Sequence, residues 1–265
     1  MTISTDIRPL QGTQIGRLPF VRHGITRRVP GLGNADGNIS YSEPRDPVDA
    51  WAMRQLWCER MGIDPGTLVT AHQVHGNAVG VVPREMAGTG SKPGSGLFGQ
   101  YDSLITNDPS VAVMMTHADC LAVVLCDPQT RSVGVVHAGW RGTVSDVSGA
   151  SVRTMVESFG SGPEEILAYV GPGICVDCYA VGDEVADAWL DSTSMNGDAA
   201  LSRPNGQWHF DLAEANRLQL QAAGMRDDAI ERSAICTRCS GGSWFSHRGQ
   251  GPTTGRFASI IAVVE

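Results

Sequence analysis

The segment THADCLAVVLCDPQTRSVGVVHAGWRGT, residues 116–143, puts two histidines, two cysteines and two aspartates into one apolar run. A thiolate and an imidazole together can ligate zinc or copper, or act as a nucleophile and its base. They can also be two satisfied core residues. Spacing decides which of them can meet. CLAVVLC and SVGVVHA flank Asp127-Pro128-Gln129-Thr130, and Asp followed by Pro is a type I turn signal. A hairpin centred there pairs residues whose numbers sum to about 257–260. Residue 120 then faces residues 137–140, so Cys120 and His137 meet at the open end of the hairpin. Cys126 stays near the turn, away from them.

The neighbours of this pair point to a site rather than a core contact. After His137 comes Ala-Gly-Trp-Arg-Gly-Thr, a tight loop entering a helix, where exposed backbone N–H groups receive anions. Arg141 adds a planar cation suited to phosphate or carboxylate. Asp119, beside Cys120, can orient a histidine or take a proton. A third metal ligand is needed, and His75 in HQVHGN is the best candidate, because it sits in a turn where His72 sits mid-strand.

The surrounding elements must position these residues. LPFVRHGITRR reads as a strand entering a loop, and the Gly- and Pro-rich residues 30–48 as irregular. DPVDAWAMRQLWCERMG has apolar residues at helical spacing and ends at Gly62, a helix stop. LVTAHQV and AVGVV read as strands joined through His75-Gly76-Asn77, a turn signal. Residues 86–100 read as a mobile Gly/Ser loop. SLITN, VAVMMTH, CLAVVLC and SVGVVHA are a dense group of strands. Helices are expected over 144–159, in VGDEVADAWL and in FDLAEANRLQLQAAG, where Asp211 and Glu214 form a capping-box-like start. EILAYVGPGI and FASIIAVVE read as strands. With no repeat and no linker, the expectation is one α+β domain of mixed sheets with flanking helices, residues 18–265, behind an N-terminal extension, residues 1–17.

Composition narrows the function classes. Twenty basic against 28 acidic residues give a net charge of -8 with no basic patch, so nucleic acid is not an expected partner. Lys92 is the only lysine and no P-loop motif is present, which argues against a Schiff-base or P-loop enzyme. The polar N-terminus has no secretory core and no run is long enough to span a membrane. A cytoplasmic protein, monomeric or weakly oligomeric, is expected. Seven cysteines then read as free thiols or metal ligands rather than a disulfide framework.

HQVHGN, THADCLAVVLCD, VVHAGWRGT, GPGICVDCYAVGDEV and WFSHRGQGPTTGRFA occur in that order. Together they resemble the YfiH/DUF152 family, the laccase-domain-containing or "polyphenol oxidase" proteins, from about residue 18 to the C-terminus. The resemblance implies an α+β fold of mixed sheets with flanking helices. It also implies a mononuclear zinc site from His75, Cys120 and His137, the same cysteine and histidine that the hairpin brings together. The implied activity is phosphorolysis of adenosine, inosine and methylthioadenosine, with adenosine deamination. The chain departs from the family pattern after Arg27, where HGITRRVPGLG replaces the usual loop. It departs again at SHRGQG, where Arg248 matches one of two expected arginines. Both departures bear on substrate contacts rather than on the metal.

Other residues carry weaker readings. His117, three before Cys120, is a second-layer or substrate residue. Phe245, His247 and Arg248 are placed to close over a purine base, and Arg27 and Arg141 to hold phosphate. His209 reads as structural and the six tryptophans as core. CVDC (175–178) and CTRC (236–239) invite a four-cysteine zinc site, but 57 residues lie between them and their flanks are apolar, so they read as free cysteines near the core surface. The seven histidines, at 23, 72, 75, 117, 137, 209 and 247, are too few and scattered for a multicopper cluster, although a single copper can occupy the zinc site.

The leading expectation is a zinc-dependent nucleoside phosphorylase and deaminase with catalytic residues Cys120, Asp119 and Arg141. Three protein ligands leave one metal position open for water or a phosphate oxygen. The alternatives are a Cys–His amidohydrolase acting on peptidoglycan precursors, with Cys120 as nucleophile and His137 as base, and a single-copper oxidoreductase. A non-enzymatic metal or redox module stands third.

Overall fold

The computed structural model describes residues 7–192 and 197–265. Its strands are β1 (Val21–Ile25), β2 (Leu68–Val69), β3 (Val79–Val81), β4 (Ser103–Thr106), β5 (Ala112–His117), β6 (Leu121–Asp127), β7 (Ser132–Ala138), β8 (Leu167–Val170), β9 (Leu201–Ser202), β10 (His209–Phe210), β11 (Ile230–Arg232) and β12 (Phe257–Val263). Its helices are α1 (Thr13–Gly16), α2 (Pro47–Met61), α3 (Trp140–Val144), α4 (Val147–Phe159), α5 (Asp183–Ser192), α6 (Leu212–Ala222) and α7 (His247–Gln250). The fold is α+β, as expected, with one sheet ordered β1-β12-β5-β2 and a larger one ordered β11-β8-β6-β7-β4-β3. The β9–β10 pair forms a small separate ribbon.

The long strands are apolar throughout because both of their faces are covered. Side chains alternate between faces of a strand. On β6, Val123 and Leu125 point one way, into a cluster with Val152, Met155 and Leu220 of α4 and α6. Ala122, Val124 and Cys126 point the other way, against Val113, Met115 and Ile261 of the smaller sheet. The outer face of that sheet, with Met114 and Ile260, packs on Trp57 and Met61 of α2. The layers are therefore helix, sheet, sheet, helices. Burying each such aliphatic side chain contributes roughly 1.5–3 kcal/mol, so polar groups survive in this interior only when they have partners.

Local signals account for the main helices. Asp46 caps α2 by accepting from the Val48 amide, and Gly62 stops the helix with φ 69°. Asp211 caps α6 by accepting from the Glu214 amide. The 144–159 expectation resolves into α3 and α4, broken at Asp146, whose φ is 63°.

The strands read in LVTAHQV and AVGVV are shorter than expected, Leu68–Val69 and Val79–Val81. The strands on either side of His75-Gly76-Asn77 do not pair with each other. β2 pairs with β5 in the smaller sheet and β3 with β4 in the larger, so the His75 turn crosses from one sheet to the other. The Gly/Ser loop is tied along residues 70–72 by Thr70 N–H to the Thr89 carbonyl, 3.0 Å, and Phe98 N–H to the Thr70 carbonyl, 2.8 Å. Residues 7–17, ahead of the boundary read at residue 18, pack on the strands: Leu10 bridges Ile25, and Glu231 accepts from the Thr13 and Gln14 amides.

Candidate metal centre and cavity

The hairpin register places the first two candidate ligands. Leu121 faces Ala138, Ala122 faces His137 and Asp127 faces Ser132, each pair summing to 259, inside the expected range. Asp127 closes the turn by accepting from the Gln129 amide, 2.8 Å, and the Thr130 hydroxyl, 2.7 Å. Cys120, one residue before β6, therefore lies beside Gly139, one residue after β7. The approach is close: a methyl on Gly139 would sit 2.9 Å from Cys120 Sγ and 3.1 Å from the His75 ring. His75 arrives from the crossover turn, its ring 4.9 Å from that of His137 and nearly perpendicular to it. The donor atoms of His75, Cys120 and His137 all lie within 4.8 Å of one another.

Asp102, just ahead of β4, holds this geometry and was not singled out in the sequence. It is fully buried. One of its oxygens accepts from the His75 amide, 3.0 Å, and from His137 Nδ1, 2.8 Å. The other accepts from the Val74 and Gly76 amides, 3.1 and 2.7 Å. These bonds stabilise the turn although His75 has φ 61°, a left-handed conformation that costs a non-glycine residue about 1 kcal/mol or more. The orienting role read for Asp119 therefore falls to Asp102. Asp119 instead accepts from the Thr237 hydroxyl and the Arg248 amide, both at 2.6 Å.

The electrostatics are those of a coupled ion pair. Desolvation opposes charge on both partners. Even so, the imidazoles of His137 and His75 hold the Cys120 thiol below its ordinary value, and Cys120 with Asp102 holds His137 above its own. Burial likewise opposes ionisation of Asp102, but His137 and the Gly76 and His75 amides outweigh it and keep the carboxyl below its usual range.

This donor set fits zinc or copper: one sulfur and two imidazole nitrogens. With Asp102 on Nδ1 of His137, Nε2 is the ring nitrogen that would serve as the donor to an ion. Three protein donors leave a fourth position for a ligand.

The centre forms part of the wall of a cavity of about 980 Å³. Asp119, Cys120, His137, His247 and Arg248 line it. So do residues that sequence reasoning missed: Tyr41, Arg54, Tyr179 and Arg256. Arg54 is committed to structure, donating to the carbonyls of Ile39, Gly90 and Ser91 with its guanidinium 3.7 Å from the Tyr41 ring. Desolvation lowers Arg256 to about 10. The Arg248 guanidinium lies 5.2 Å from the Tyr179 ring.

Four residues read as site residues lie off this cavity wall. Phe245 is buried in the core between the sheets. Arg141 is exposed and packs on Trp140 at 4.3 Å. Arg27 is partly buried, outside the lining. His117 is buried behind the centre, 5.6 Å from His137, with Nε2 2.9 Å from the Ser259 hydroxyl.

Fold and centre define a class: an α+β domain with a candidate mononuclear metal centre opening on a cavity of small-molecule size. Comparison with known proteins places it further. The chain belongs to the family described as multi-copper polyphenol oxidoreductase laccase, whose model matches residues 22–264. It is 33% identical over 219 residues to "Purine nucleoside phosphorylase YlmD" of Bacillus subtilis, covering 82% of this chain and 78% of that protein. It is 35% identical over 253 residues to "Adenosine deaminase RL5" from an unknown prokaryotic organism, covering 92% and 96%. The crystal structure of YlmD from Geobacillus stearothermophilus superposes with a TM-score of 0.91 at 29% identity, covering 99% of both chains. No helix among the described residues is long and apolar enough to cross a membrane.

Proposed function

We propose that this chain is a zinc-dependent purine nucleoside phosphorylase acting on adenosine, inosine and methylthioadenosine, with adenosine deaminase activity, in the cytoplasm. The observation that carries the reading is the convergence of His75, Cys120 and His137 on the wall of a cavity that also presents Arg248 and Arg256. The names of the relatives agree with it. Zinc, when bound by these three side chains, supplies a Lewis acid with an open position.

The chain's own residues do the rest. Asp102 fixes the ring of His137 and the turn of His75. Arg248 and Arg256 take the phosphate that Arg27 and Arg141 were expected to hold, because they line the cavity and those two do not. Tyr179, raised to about 12 by burial and by Cys120, stays a neutral phenol and can donate to the substrate. Asp119, held by Thr237 and Arg248 on the cavity wall, carries the proton to or from the purine.

The family description does not set the activity. A coupled copper cluster needs histidines gathered together, whereas here His23 packs under the N-terminal segment and His209 bonds the Val176 carbonyl. Cys120, His137 and Asp102 also form the nucleophile–base–orienter chain of a thiol hydrolase, which favours an amidohydrolase as the second reading.

Products from adenosine, with and without phosphate, on protein of measured metal content decide between these readings. Adenine that depends on phosphate, together with inosine, is expected. Both should be lost on chelation and restored by zinc. Neither product on zinc-loaded protein would overturn the proposal, and peptide-amide cleavage that survives chelation would establish the second reading.

A further inference from the structure

A second group of soft ligands lies outside this centre. β8 and β11 are parallel neighbours, Ile230 facing Ala168 and Arg232 facing Val170, so both chains leave the sheet at the same end. CVDC follows β8 and CTRC follows β11 within a few residues. The two loops then run together, with Gly173 bridging Cys236 and the Thr237 amide donating to the Gly173 carbonyl at 3.0 Å. The separation of 57 residues in sequence is thus removed by strand pairing. The reading of these residues as separate free cysteines changes accordingly: the sulfurs of Cys175, Cys178, Cys236 and Cys239 all lie within 4.8 Å of one another.

The arrangement has the features of a ligand cage. A regular tetrahedron with bonds of about 2.3 Å to its centre has edges of about 3.8 Å, so the sulfurs need close by no more than about 1 Å from their 4.8 Å limit. Backbone N–H groups point at sulfur: the Cys175 amide donates to Cys236 Sγ at 3.4 Å. The amides of Cys178 and Cys239 serve the first cysteine of their own pairs. Such donors favour thiolate over thiol. The thiols share protons among themselves: against desolvation, the Cys175 and Cys239 amides pull Cys236 down, while burial pushes Cys175 up and Cys236 pushes Cys239 up. A donor set of sulfur alone selects a soft or borderline cation over calcium or magnesium.

We propose that Cys175, Cys178, Cys236 and Cys239 form a closed tetrathiolate zinc site, separate from the His75–Cys120–His137 centre and structural in role. It clamps the loop after β8, which carries the cavity-lining Ile174 and Tyr179, to the loop after β11. Tyr179 follows Cys178 directly. Thr237, between Cys236 and Arg238, donates to Asp119, and the Arg238 guanidinium donates to the Cys178 carbonyl at 3.3 Å.

The test isolates this site by removing the other. Full-length Cys120→Ser/His137→Ala protein, purified under reducing conditions, should retain one equivalent of zinc. X-ray absorption should find four sulfurs at about 2.3 Å and no nitrogen. Mass mapping should show the four cysteines protected from iodoacetamide until a chelator removes the metal. In the otherwise native chain, Cys175→Ser/Cys239→Ser should lose one equivalent. If that variant does not fold, the absorption spectrum of the first still decides. The assignment is overturned by zinc-free protein after zinc loading, by free alkylation of the four thiols, by disulfides mapped among them, or by iron in place of zinc.

Discussion

Asp102 is held by four hydrogen bonds that only a carboxylate can accept together. Each of its oxygens accepts two hydrogen bonds, three from one turn and one from a ligand ring. Asp102→Asn replaces an acceptor with a donor facing N–H groups. Loss of such an outer partner costs about 10–100-fold in metal affinity. Zinc competition against a chromophoric chelator should show that drop, and an unchanged affinity would mean that Asp102 serves the turn alone. Gly139 acts by absence. Gly139→Ala puts a methyl 2.9 Å from Cys120 Sγ, so the sulfur or the His75 ring must move. The same assay should show weaker zinc binding with the fold, read by circular dichroism, retained.

Among elements, the β6–β7 hairpin does most to place the chemistry. Its register follows from the Asp127 turn and would carry Cys120 to the opposite face if slipped by one residue. Helix α6 depends on a single cap. Asp211→Ala leaves the Glu214 amide without its acceptor and should lower stability by about 1 kcal/mol, read as a lower urea midpoint with unchanged slope. The crossover turn at His75 is the element whose sheet partners local reading left open. The turn signal was sound, but β2 and β3 are only two and three residues long. Strands that short take their partners from tertiary contacts.

For the whole molecule, four layers leave titratable groups in dry places, and acid finds them. His23 is buried on β1 and accepts from the Gly12 amide through Nε2, 3.0 Å. Desolvation lowers it from 6.5 to about 4, against a smaller pull from Glu231. As pH falls below 6.5 the unfolded chain takes up the proton and the folded chain does not. Stability is therefore lost between about pH 6.5 and pH 4, by up to roughly 3 kcal/mol. Urea titrations of wild type and His23→Gln across that window should diverge, with the variant less pH-dependent. Parallel curves would show that His23 already carries the proton in the fold.

The amino-acid sequence by itself determined the hairpin, the meeting of Cys120 with His137, the helix caps and the motif order that marks the family. Each of these rests on neighbours in the chain: a turn residue, a two-residue period, a cap. It also singled out His75 as the candidate third ligand, because a histidine in a turn is free to face a site. The tertiary structure alone decided what depends on distant segments meeting. The β3–β4–β7 pairing puts Asp102 behind His137, and the parallel pairing of β8 with β11 gathers the four cysteines. The return of the chain through α7 into β12 brings Arg248 and Arg256 to the cavity that Arg27 and Arg141 miss. Nothing local distinguishes one aspartate or arginine from the next; which of them reaches the site is set by which strands pair and which face is buried.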